Sequence, residues 1–241
     1  MDSKLETFVI ISKNNEPERY NHFLKQVDVN KLNDYLNINY FNYCWKSDIT
    51  QKIRDEYCKS DWTMRKHGRN MKDKPLTNGE ISLFLNHIEC LKHIRNNFTE
   101  GYFLILESDA IFYENFTKTQ INKLLKDIDL IKDIDILNIG EGIPVYFKKC
   151  GFPKTKPIVV NDSKYYRENL NRCTEAIIWS YKSVCKFLDY FEKDNDNDID
   201  SPIDTKLDVL SNYIGGFNIY WPEHYIVKQG SNMKIFKSTI R

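Results

Sequence analysis

Glu107 and Asp109 are the residues in this sequence best placed for chemistry: two carboxylates with one residue between them, directly after the apolar run Tyr102 to Leu106. Acids at that spacing can face one divalent cation, and Ser108 between them adds a hydroxyl oxygen. Asp204 is a second candidate. It follows Pro202 at the start of a helical pattern, where a cap and the helix dipole keep an aspartate ionised at neutral pH. An ionised carboxylate within reach of a hydroxyl can take its proton as a general base. Glu80 and His87 fall on nearly the same face of one helical pattern, as site-lining groups or as buried ties to neighbouring loops. His87 is not read as a zinc ligand, since no second His or Cys stands at ligand spacing. The basic loop 64–74 offers Arg65 and Arg69, which are either solvated or a cover giving charge-assisted bonds to a diphosphate.

These side chains need elements to hold them. Thr77 and Glu80 have the spacing of a reciprocal cap, and Ile81, Phe84, Leu85, Ile88, Leu91 and Ile94 continue from them as an apolar stripe, which predicts a helix. Tyr102 to Leu106 is too short for a helix and suits a strand buried on both faces, with the acids at its carboxyl end, the edge at which open α/β sheets bind ligands. Further strands are predicted at Thr7–Ser12, Asn37–Trp45, Asp133–Gly140, Thr174–Tyr181 and Phe217–Trp221, and helices at Gln120–Ile131, Ser183–Glu192 and after Asp204. Trp45 is read as core, with stacking as the alternative. Residues 143–172 read as irregular, and Asp194–Asp200 as an exposed acidic connector rather than a calcium loop, because Ile199 stands where such a loop needs glycine.

The helix and the acidic strand end together resemble glycosyltransferase family 25, a GT-A type family whose pattern runs roughly L-T-x-G-E-I-G-C-x-L-S-H and then L-x-L-E-D-D-A. Leu76, Thr77, Gly79, Glu80, Ile81, Leu85 and His87 match, followed by Leu104, Leu106, Glu107, Asp109 and Ala110. Ser82, Leu83 and Asn86 depart from the pattern, and Ser108 takes the place of the middle acid. Pro202-Ile203-Asp204 resembles the family's P-x-D, and Gln229-Gly230-Ser231 its closing Q-G-S. The resemblance implies an α/β, GT-A-like single domain over residues 1–241, with a mostly parallel central sheet flanked by helices. It implies a nucleotide-sugar donor, expected to be a UDP-hexose, a divalent metal, Mn²⁺ or Mg²⁺, and a hydroxyl acceptor on a glycan or protein. Glu107, Asp109 and His224 become metal candidates and Asp204 the general base of an inverting transfer. Ser12, Arg19, Arg65, Arg69, Glu80, His87 and Gln229 become donor-site candidates. The missing middle acid keeps a second reading open: a transferase-like domain that binds nucleotide or glycan without turnover.

The remaining features bound the partners. The 241 residues carry a net charge of +1, which gives no electrostatic case for nucleic acid or an anionic membrane. The polar start and the lack of any long apolar run lead us to expect no membrane span and a chain that is cytoplasmic or otherwise non-secreted. Six irregularly spaced cysteines are expected to be reduced, and the richness in Asn, Lys and Ile is of the kind found in AT-rich genomes.

Overall fold

The computed structural model describes residues 4–59, 75–113, 118–131, 133–141, 153, 155–168, 173–194, 196–214 and 216–238. Its centre is an eight-stranded sheet in the order β2-β1-β3-β8-β5-β9-β7-β6. These strands are β1 (Leu5–Ile10), β2 (Leu36–Phe41), β3 (Tyr102–Glu107), β5 (Ile136–Asn138), β6 (Ile158–Val160), β7 (Ser163–Arg167), β8 (Ala176–Ser180) and β9 (Ile219–Pro222). Two short strands, β4 (Ala110–Phe112) and β10 (Val227–Gln229), pair antiparallel beside it. The helices are α1 (Pro17–Val29), α2 (Gln51–Tyr57), α3 (Asn78–Asn97), α4 (Lys118–Leu130), α5 (Tyr181–Asp189) and α6 (Ile203–Val209).

Strand alternation sends successive side chains to opposite faces, and each face has its own core. Phe8, Ile10, Phe103, Ile105, Ile177 and Trp179 join the stripes of α3, α5 and α6 in one cluster. Val9, Leu104, Leu106, Ala176 and Ile178 join α1 and α4 in the other. The result is the expected α/β architecture of a sheet covered by helices. The sheet is mixed. β1 pairs parallel with both β2 and β3, and β5 with β9, but β8 runs antiparallel between β3 and β5. An apolar strand reads the same in either direction, so the sequence pattern carries no signal for that reversal.

Two segments differ from expectation. Part of the stretch read as irregular is the β6–β7 hairpin, closed by Asn161 and Asp162 with φ of 45° and 64°. Two residues with positive φ in a two-residue turn suit the twist of a hairpin, and Asn and Asp tolerate that conformation. Asp127 of α4 fastens this hairpin, accepting from Tyr165 Oη at 2.7 Å and Asn161 Nδ2 at 2.9 Å. The acidic connector is docked rather than exposed: Asp198 and Ile199 are buried, and Asp198 accepts from the Lys59 backbone at 2.7 Å. Among the described residues no helix is long and apolar enough to cross a membrane, and Cys44, Cys58, Cys90, Cys173 and Cys185 are free thiols.

Candidate active site

β1 has β2 on one side and β3 on the other, all parallel, so the crossover from β1 to β2 and the one from β2 back to β3 run in opposite directions here. Such a switch point opens a crevice at the carboxyl ends of the strands. A cavity of about 540 Å³ lies there, lined by Ser12, Glu16 and Arg19 from the loop after β1 and the start of α1, by Asn42, Trp45 and Lys46 from the segment after β2, and by Glu107, Ser108 and Asp109 from the end of β3 and its turn. The starts of α3 and α6 and the end of β10 with the segment after it complete the wall, bringing Glu80, Asp204 and Gln229.

The acid motif is held from both sides. Glu107 ends β3, and its Oε1 accepts from the Thr174 hydroxyl, with His87 Nε2 at 3.6 Å. That separation is beyond a hydrogen bond, so the fully buried His87 has no hydrogen-bond partner on either ring nitrogen among the described residues. Ser108 and Asp109 form the turn into β4, whose pairing with β10 sets Ala110 opposite Gln229. The next residues fold back on the turn: Gly230 N–H donates to the Asp109 carbonyl at 2.8 Å, and Ser231 N–H to Asp109 Oδ2 at 3.3 Å. Asp109 Oδ1 is buried with no hydrogen-bond partner among the described residues. Burial, and then the neighbouring Glu107 charge, push the Asp109 carboxyl above its ordinary range.

Arg19 is buried in the same wall, and its charge is engaged by the protein. Nη1 donates to Ser108 Oγ at 2.7 Å and lies 3.2 Å from Glu16 Oε1, Nη2 donates to the Lys237 carbonyl, and the guanidinium sits 5.3 Å from the Phe236 ring centre. Ser12 accepts from the backbone and side chain of Asn15, closing the loop after β1. Glu80 lines the cavity while completing the predicted reciprocal cap, accepting from Thr77 N–H at 2.8 Å as its own N–H reaches Thr77 Oγ1 at 3.2 Å. Asn86, one of the departures from the family pattern, ties the loop after β2 to α3 through the Tyr43 N–H and the Cys44 carbonyl, both at 2.7 Å.

Asp204 opens α6, and its Oδ1 accepts from Thr205 N–H at 2.7 Å. Cys173 relates it to the acid motif: burial, then the charges of Glu175, Asp204, Glu107 and Asp109, push that thiol well up. The general-base candidate and the acid pair thus act on one group across one cavity. His224 is not brought in. Its side chain is 92% exposed on the turn after β9, 3.9 Å from Glu223. Arg65 and Arg69 lie outside the described residues.

Trp45 lines the cavity and is only half-buried, so it does not fill the core. Glu16 and Thr174 were not among the sequence candidates. Thr174 had no signal, being one polar residue before an apolar strand. Glu16 had one, a carboxylate three residues ahead of Arg19 at a proline-led helix start.

A sheet with its switch point beneath an acid-lined cavity defines a GT-A-like α/β enzyme. Residues 5–195 match the family described as Glycosyltransferase family 25 (LPS biosynthesis protein), and the chain belongs to that family; it is a glycosyltransferase. Asp204 and Gln229 lie beyond the matched residues. No curated protein matches the chain.

Proposed function

We propose that the cavity binds a nucleotide-activated hexose, with UDP as the expected nucleotide, and that the chain transfers the hexose with inversion to a hydroxyl of a glycan or protein. The observation carrying this reading is the buried, unpartnered Asp109 Oδ1 beside Glu107 at the switch point, since a buried carboxylate oxygen without a donor, next to a second carboxylate, is what a cation or a donor group would satisfy. The diphosphate belongs at the ends of β1 and β3. The nucleoside then extends over the end of β2, where the half-buried Trp45 offers a flat face for its base and Asn42 an amide for its edge.

The donor set suits Mn²⁺ or Mg²⁺ held sparingly. Among the described residues no three His, Cys, Asp or Glu side chains gather to hold an ion, so Asp109 and Glu107 would hold it together with phosphate oxygens and water, the usual manner of Mg²⁺ at phosphate sites. When bound, such a cation offsets charge on the departing diphosphate. Thr174 fixes one Glu107 oxygen. Asp204 takes the proton of the acceptor hydroxyl as its oxygen bonds to the anomeric carbon, and the bond from that carbon to the phosphate oxygen breaks, its electron pair leaving with the nucleoside diphosphate.

Incubation with a panel of nucleotide hexoses and hydroxyl acceptors, with product configuration read by NMR, tests the reading. Transfer with inverted anomeric configuration is expected. Retained configuration would remove Asp204 as base, and binding without transfer or donor hydrolysis would favour the non-catalytic alternative.

A further inference from the structure

The turn after β3 has a serine at its centre, yet a carboxylate still reaches that centre. Ser108 Oγ donates to Glu16 Oε1 at 2.9 Å and accepts from Arg19 Nη1 at 2.7 Å, while the same arginine nitrogen lies 3.2 Å from Glu16 Oε1. The three side chains close a ring between the start of α1 and the acid motif. Glu16 is 7% exposed and Arg19 6%. A buried acid at a helix start can pair with an arginine three residues on without help, and here both also bond a serine from the turn after β3. They do so on the wall of the cavity, with Glu16 within the field of Asp109.

We propose that Glu16 is a positioning residue of the active site, supplying from α1 the carboxylate that the Glu107-Ser108-Asp109 turn lacks at its centre, so that Arg19 stays neutralised and fixed against the cavity. Two results follow from the geometry. Arg19 has five N–H donors, of which the Ser108 and Lys237 bonds use two, so a fixed Arg19 still presents donors to an anion in the cavity it lines. With Glu16 and Arg19 offsetting each other, the turn itself carries only the charges of Glu107 and Asp109. Ser108 is then one half of a relocated acid, and the departure from the family pattern does not mark a lost activity. Only the identity of the bound anion rests on the donor reading above; the charge arrangement does not.

The test is a cycle of Glu16→Gln, Ser108→Asp and the double variant, read by thermal melting and by titration with UDP, GDP, CDP and ADP, each with Mn²⁺. Glu16→Gln should weaken nucleoside diphosphate binding about tenfold or more, the loss expected of one charge-assisted contact. Ser108→Asp should lower the melting temperature by crowding a further acid against Glu16, Glu107 and Asp109. The double variant should recover both affinity and melting temperature, because the carboxylate has only changed its point of attachment. Losses that simply add in the double variant, or a Glu16→Gln protein with unchanged affinity, would overturn the proposal. If Glu16→Gln alone does not fold, recovery of folding on adding Ser108→Asp supports it and a double variant that also fails overturns it. If the wild type binds none of the four diphosphates the donor reading falls, while the melting cycle still decides the role of Glu16.

Discussion

At the scale of single residues, two acids differ in what each one touches. Asp109 is buried beside Glu107 with one oxygen unpartnered, and Asp204 is half-buried across the cavity with Oδ1 held by a backbone N–H. Asp109→Ala and Asp204→Ala should each reduce transfer by at least about 10²-fold, the scale of a lost general base or charge stabiliser. Only the first should weaken cation-dependent nucleotide binding. Near-normal turnover in Asp204→Ala would remove it as the base. Gly140 gives a packing test. A Cβ there would run into the buried Glu175 carboxyl, so Gly140→Ala should lose about 1–3 kcal/mol of stability in denaturant melts. The acid pair was legible because its spacing and the apolar run before it are both local. Arg19 could be named from the sequence only as a candidate; its engagement by Ser108 and Lys237 joins positions far apart in the chain, and no spacing rule reports such contacts. His224 misled for the opposite reason: a histidine just after a strand is placed by the turn that follows, and here the turn carries it into solvent.

At the scale of elements, α3 reads directly from the sequence because cap and stripe are local signals. Thr77 and Glu80 form the cap they predict, and Thr77→Ala should cost about 1 kcal/mol by thermal or chemical denaturation. The β6–β7 hairpin was missed, although Asn161 and Asp162 between Ile158–Val160 and Ser163–Arg167 are turn formers between two short strands. Its attachment is the buried Asp127. Burial alone would raise that carboxyl, but hydrogen bonds from Tyr165 and Asn161, with further help from Ser163 and Lys123, hold it below its ordinary range. A depressed folded value means that the stabilisation is complete above the ordinary aspartate pKa and is lost as pH falls from there through the depressed one. Asp127→Ala should therefore destabilise by about 1–3 kcal/mol near neutrality. The difference from wild type should shrink in acid, and melting curves across pH 2 to 7 would check both the size and the direction.

At the scale of the whole molecule, the sequence disclosed the α/β class and the sheet edge at which the cavity lies, because both follow from short apolar runs ending in polar residues. It did not disclose that β8 enters the sheet antiparallel, nor that the segment after β10 folds back onto Asp109 and Arg19 to close one wall of the cavity. Both depend on which distant segments pair, a choice made by packing across the finished sheet. The central claim is that this crevice is a cation-assisted nucleotide-sugar site built on Asp109. It is tested most directly by thermal melts of wild type and Asp109→Ala with nucleotides and nucleotide sugars, each with Mn²⁺ and with chelator. A ligand at about 100 times its Kd should add roughly 2.7 kcal/mol to the folded state. The account predicts a shift confined to one nucleotide class, abolished by chelator and absent in Asp109→Ala. A shift indifferent to chelator and retained in Asp109→Ala would contradict it.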